Sequence, residues 1–115
     1  RIYSNFFDII IDDGGHYKSH ILNNLKYFFN CLKNKDSFYV IEDYGLKFSY
    51  LNDLKKEPSI FNVIKNLNSK KNFTSKILSK KDQNYLIAKI KKIYEYQGKW
   101  IKYNHNISDV CFIKI

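Results

Sequence analysis

The stretch "FDIIIDDGGH", Phe7 to His16, is apolar through both strand parities and then breaks into two acids, two glycines and a histidine. A run that is apolar on both sides predicts a strand, Phe7 to Asp12, buried in a parallel sheet. From Lys18 to Leu32 the apolar residues Ile21, Leu22, Leu25, Phe28, Phe29 and Leu32 fall on one face of an amphipathic helix. "KNKD", Lys33 to Asp36, is a polar turn, and "FYVIED", Phe38 to Asp43, is a second apolar strand that also ends in acids. Strand, helix, strand in this order is the βαβ unit, whose crossover is right-handed in about 98% of cases, so the two strands are expected to run parallel.

Beyond this unit, Tyr44 to Lys56 reads as a loop or short helix. Pro58 suits the first turn of a helix that carries Ile60, Phe61, Ile64 and Leu67 inward, and "NSKKN" ends it. From Tyr85 the sequence "YLIAKIKKIYEYQGKWIKY" reads as strands that alternate around Gln97 and Gly98. "DVCFIKI" closes the chain as a last strand, giving an antiparallel C-terminal hairpin.

The chain has 115 residues, enough for one domain and no more. With 44% hydrophobic and 17% aromatic residues it has the material for a core, which argues against disorder. It opens on Arg1 without any methionine and reaches a strand within a few residues, which reads as the tail of something longer. No apolar run approaches the ~20 residues of a membrane span, and no signal-like segment starts the chain, so a soluble, cytoplasmic location is the expectation. Cys31 and Cys111 sit in apolar settings without metal-binding spacing and read as buried structural thiols.

The net charge of +9 is uneven: six basic against seven acidic residues up to Leu54, fourteen against four from Lys55. A basic nucleic-acid-binding module is one reading of that second half. The lysines are scattered rather than massed, however, and Arg, the residue suited to base readout, occurs once.

Ligands of open parallel α/β sheets bind at the carboxyl ends of the strands. Both predicted strands end there in acid pairs, Asp12 with Asp13 and Glu42 with Asp43. On neighbouring strands about 4.8 Å apart these carboxylates crowd and repel, so a positive partner is expected. A hard divalent cation takes such oxygen ligands; caps on the following helices, or solvated ends, are the simpler uses of the same acids. His16, three residues past Asp13, is placed to accept a proton at the mouth of such a site. His20 and His105, the latter in a predicted loop, read as structural. Gly14 and Gly15 offer backbone freedom and close approach to a ligand. The G-x-G-x-x-G dinucleotide fingerprint is absent from the chain.

"FDIIIDDGGH", the helix "ILNNLKYFFNCLKN" and "FYVIEDY" together resemble the second half of class I S-adenosylmethionine-dependent methyltransferases. The similarity is closest to metal-dependent sugar O-methyltransferases of macrolide biosynthesis, of the mycinamicin and macrocin type, and to the cephalosporin-hydroxylase-like group. The resemblance covers Phe7 to about Tyr44, with Pro58 to Asn68 matching the long helix that follows. It implies a Rossmann-like doubly wound sheet of which only the C-terminal half is present. It also implies magnesium ligands at Asp13, Glu42 and Asp43, and a base at His16. Asp12 receives no role. The implied reaction carries the methyl of S-adenosyl-L-methionine to a hydroxyl of a small, sugar-like acceptor; Tyr44, Phe48 and Tyr50 are candidates to line its pocket, with ordinary packing the simpler use of any one of them. The Gly-rich cofactor loop of the family is not in this chain, so a fragment inactive by itself, or an inactive structural remnant of the fold, is part of the same expectation. The strand at Phe7 would then keep an apolar edge prone to association, including self-association into a homo-oligomer.

Overall fold

The computed structural model describes residues 4–15, 17–44, 56–100 and 105–115; of 99–100 and 105–108 it describes the backbone only. The elements are β1 (Ile9–Asp12), α1 (Lys18–Phe28) continued by a 3-10 turn (Phe29–Cys31), β2 (Phe38–Glu42), α2 (Ile60–Asn68), α3 (Lys80–Lys89), β3 (Lys92–Trp100) and β4 (His105–Lys114). They form a small α/β domain around one open mixed sheet of order β1-β2-β4-β3. β1 and β2 are parallel neighbours with Ile9 beside Phe38 and Asp12 beside Ile41. β4 runs antiparallel to both β2 and β3, so β3 is parallel to β2.

Strand parity decides which side chains are buried. Tyr39 and Ile41 of β2, Cys111 and Ile113 of β4 and Ile93 of β3 share one face with the partly buried Ile10, and the residues from all three helices pack on them. Alpha-helical spacing supplies the other half of this core: Ile21, Leu22 and Leu25 from α1, and Ile60, Val63, Ile64 and Leu67 from α2. The expected doubly wound sheet carries helices on both faces; among the described residues they cover one. The other face presents Ile9 (57% exposed), Ile11 (60%) and Tyr96, beside the Phe38–Phe112 and Tyr96–Phe112 ring contacts. β1 pairs only with β2 among the described residues, so the apolar edge expected at this strand is present.

Several expectations shift locally. The predicted strand at Tyr85 is helical as far as Lys89, because Ser79 and Asp82 form a reciprocal capping box that starts α3. Its Gln83 is buried and spans to Phe73 and Leu78, accepting from the Phe73 N–H and donating to both carbonyls at 2.8–2.9 Å. Gly98 lies inside β3, where the register with β4 shifts between Gly98 and Lys99. His105 begins β4 instead of lying in a loop. Phe28, the last residue of α1, is 50% exposed, beside the flank of β1 that is unpaired among the described residues. Pro58 stands one residue before the N-cap of α2, where the Ser59 side chain accepts from the Asn62 N–H. Cys111 is buried and Cys31 half-buried, both as free thiols. No helix among the described residues is long and apolar enough to cross a membrane.

Candidate functional site

The parallel register fixes the first contact of the site. Asp12 lies beside Ile41, so the next residues along the two strands, Asp13 and Glu42, are lateral neighbours. Asp43 would point to the opposite side if the chain stayed extended, since successive strand residues alternate. It does not stay extended: Asp43 has φ 54°, in the left-handed region that aspartate tolerates better than most residues. The alternation breaks there, and Asp13, Glu42 and Asp43 each bring a carboxylate oxygen within 4.8 Å of the others. Asp13 is exposed and the other two are half-buried.

The neighbouring acids have separate tasks. Asp12 turns inward and is buried, accepting from the Gly14 N–H at 3.3 Å and from Asn24 Nδ2 of α1 at 3.1 Å. It fastens the end of β1 to the helix that follows. On the far side of Asp43, its N–H donates to the Asp109 carbonyl oxygen of β4 at 2.7 Å. Asp109 is buried, and one of its carboxylate oxygens, Oδ1, has no hydrogen-bond partner among the described residues. Burial, then the charges of Asp43 and Glu95, push its carboxyl above the ordinary carboxylate range. Sequence reasoning passed over Asp109, yet its parity with Cys111 and Ile113 already put an acid on the inward face.

Tyr44 takes the packing use and is buried. Its ring meets Phe61 edge-on at 5.1 Å and its hydroxyl donates to Glu95 Oε1 at 3.2 Å. Phe48 and Tyr50 lie outside the described residues, as does His16, the expected base. His20 packs edge-on against Tyr17, with ring centroids 5.3 Å apart. Neither Gly14 nor Gly15 uses the left-handed conformations open to glycine. A Cβ at Gly15 would stand 2.5 Å from Nδ1 of the exposed His20 ring, which would have to turn aside.

Beside Asp13 an open hollow of about 460 Å³ runs along the outer side of β1, lined by Ile10, Ile11, Asp12, Asn24 and Phe28. That volume lies within the range of small-molecule sites, roughly 300–1,000 Å³. Several lysines from both halves of the chain are turned back upon it. Lys18, Lys26 and Lys70 donate to the backbone carbonyls of Glu57, Ile77, and Ile87 and Ile90, and Lys89 donates to Asn34.

No protein family, no curated protein and no solved structure matches the chain.

Proposed function

We propose that the chain is the C-terminal half of a class I S-adenosylmethionine-dependent methyltransferase domain, one that uses a divalent cation to methylate a hydroxyl of a small, sugar-like acceptor. The observation that carries this reading is the convergence of Asp13, Glu42 and Asp43 at the carboxyl ends of two adjacent parallel strands. The order of the sheet agrees with it. β1, β2 and β3 are mutually parallel, and in this reading they stand for the fourth, fifth and sixth strands of a doubly wound sheet, with β4 antiparallel between the last two.

The donor set fits a hard cation such as Mg²⁺ or Mn²⁺: three carboxylates, one of them open to solvent, and no thiol or imidazole among the three. Asp13, Glu42 and Asp43 would hold it. The bound cation supplies Lewis-acid chemistry, lowering the pKa of an acceptor hydroxyl. Three carboxylates on two strands, one of them open to solvent, leave one side of the site to the acceptor. His16, four residues beyond the end of β1, takes the proton of the attacking hydroxyl in this reading.

The test is methyl transfer from labelled S-adenosyl-L-methionine by the full reading frame that contains this chain, with Mg²⁺ or with EDTA. Activity is expected to need the cation and to fall at least a hundredfold in Glu42→Gln. Transfer that proceeds equally in EDTA, or undiminished in the variant, would refute the metal assignment. A nucleic-acid-binding module would instead lose affinity steeply with salt and ignore the loss of Asp13.

A further inference from the structure

We propose that the open flank of β1 pairs with the same flank of a second copy of this chain, as an antiparallel strand pair about a two-fold axis. The pairing stands on the geometry of the strand and depends on neither the cation nor the reaction proposed above. Among the described residues β1 is bonded on one side, to β2, and the Phe38 N–H donates to the Asp8 carbonyl at 2.9 Å. Alternate residues of a strand turn their backbone groups to opposite sides, so Asp8 and Ile10 serve β2 while the N–H and C=O of Ile9 and of Ile11 face the open flank. The side chains there are apolar: Phe6, Ile9, Ile11 and Phe28 are each 50–60% exposed, and Phe7 is 38% exposed. An apolar edge with outward backbone groups is a template for another strand.

The flank is complementary to itself, which is why a second copy is the occupant. With the axis through Ile10, Ile9 lies opposite Ile11 of the partner subunit and Ile11 opposite Ile9 of the partner subunit. These are hydrogen-bonded pairs, and they use all four outward groups of each chain. One residue of slip would oppose Ile9 to the partner's Ile10, whose backbone groups already serve β2. In the favoured register Asp8 comes opposite the partner's Asp12. Lys33 already balances Asp8 at 2.8 Å, and Asp12 is held by Gly14 and Asn24. The partner's Ile10 stands on the helix-covered side of the sheet, where Ile10, Phe28 and Tyr39 line the hollow of about 460 Å³. At ~200 Å² for a fully exposed large apolar side chain, the five exposed residues present roughly 500 Å², and a two-fold pair buries about 1,000 Å² besides the strand backbone. That area reaches the lower bound for a specific interface, so the dimer is expected to be reversible.

The test is sedimentation equilibrium of the 115-residue chain up to about 200 µM, which populates a dimer of micromolar Kd. The expected species has twice the 13.8 kDa mass of the chain at the top of that range. Ile11→Lys, which charges the flank, is expected to weaken it at least tenfold. Ile11→Pro removes an outward N–H that an edge strand can lose, and is expected to act alike should the lysine variant fail to fold. Circular dichroism checks that each variant is folded. Tyr96→Lys, on the uncovered face of β3, should dimerise as wild type does. A wild-type chain that stays monomeric overturns the proposal and assigns the flank to a strand of another protein or of a longer reading frame. A dimer that survives both Ile11 variants, or that Tyr96→Lys abolishes, overturns it as well, since the contact then lies elsewhere.

Discussion

Asp43→Asn separates electrostatic cost from cation affinity at the acidic group. Its carboxylate lies within 4.8 Å of those of Asp13 and Glu42. At that separation each pair repels by about 0.9 kcal/mol in a water-like dielectric, a suitable choice where one partner is exposed. Neutralising Asp43 removes two such pairs, so the metal-free protein should gain about 2 kcal/mol, or roughly 8 °C in Tm for a domain of this size. Asparagine tolerates the left-handed φ and keeps the N–H that meets Asp109, so the backbone is not a confounding factor. Mn²⁺ at a hundred times its Kd should stabilise the wild type by about 2.7 kcal/mol, and this increment should vanish in the variant. Melts followed by circular dichroism, in EDTA and in saturating Mn²⁺, measure both. A variant that melts with the wild type in EDTA would show that the three carboxylates do not repel, and the electrostatic reasoning would fail.

Alkaline pH tests the burial of two groups in the core. Burial raises the Cys111 thiol from 9.0 to about 12, and raises the Tyr39 hydroxyl well above its ordinary 10.0. Both stay protonated longer in the fold than in the unfolded chain, so stability is intact below pH 9 and is lost as pH climbs toward 12. By pH 11 these two groups alone should remove about 4 kcal/mol, with the buried Tyr44 hydroxyl, raised likewise, adding to the loss; it is read as a lower urea midpoint than at pH 8, and equal midpoints would contradict the burial. Gln83→Leu should cost about 3 kcal/mol, because the Phe73 N–H and the Phe73 and Leu78 carbonyls lose their partner together. Amide exchange around residues 73–78 should rise in that variant, and unchanged exchange would show that the side chain does not hold this loop.

The βαβ unit was legible because its strands are continuous apolar runs and its helix repeats at helical spacing, two signals that local sequence carries without help from the rest of the chain. α3 was not, since its buried side includes Gln83, a polar residue invisible to a hydrophobic pattern. Leu86, Ile90 and Ile93 then merged into one apparent strand across Lys91, where helix gives way to extended chain. The capping box Ser79-x-x-Asp82 was the available correction. At the site, the positions of Asp13 and Glu42 followed from strand order and register. The turn of Asp43 did not, because an aspartate after a strand can continue it, cap a helix or adopt left-handed φ, and the sequence does not choose among these. The tie to Asp109 depends on an antiparallel pairing some sixty-six residues away in the chain, which no local pattern encodes.

The paired aspartates that end β1 divide their tasks by strand parity. Asp12 faces the helices, where a charged group is tolerated only with donors, and Gly14 and Asn24 supply them. Asp13, one residue on, faces away from that anchor and meets Glu42. β1 is a four-residue strand with one flank unpaired among the described residues, so backbone pairing to β2 alone holds its end weakly. The Asp12 anchor to α1 supplies a second point of attachment, and with it the lateral position of Asp13. An acid buried against the helices therefore sets where the proposed ligand stands, and the order of the two cannot be exchanged: reversed, the strand would send Asp13's carboxylate into the core and leave its anchor in solvent.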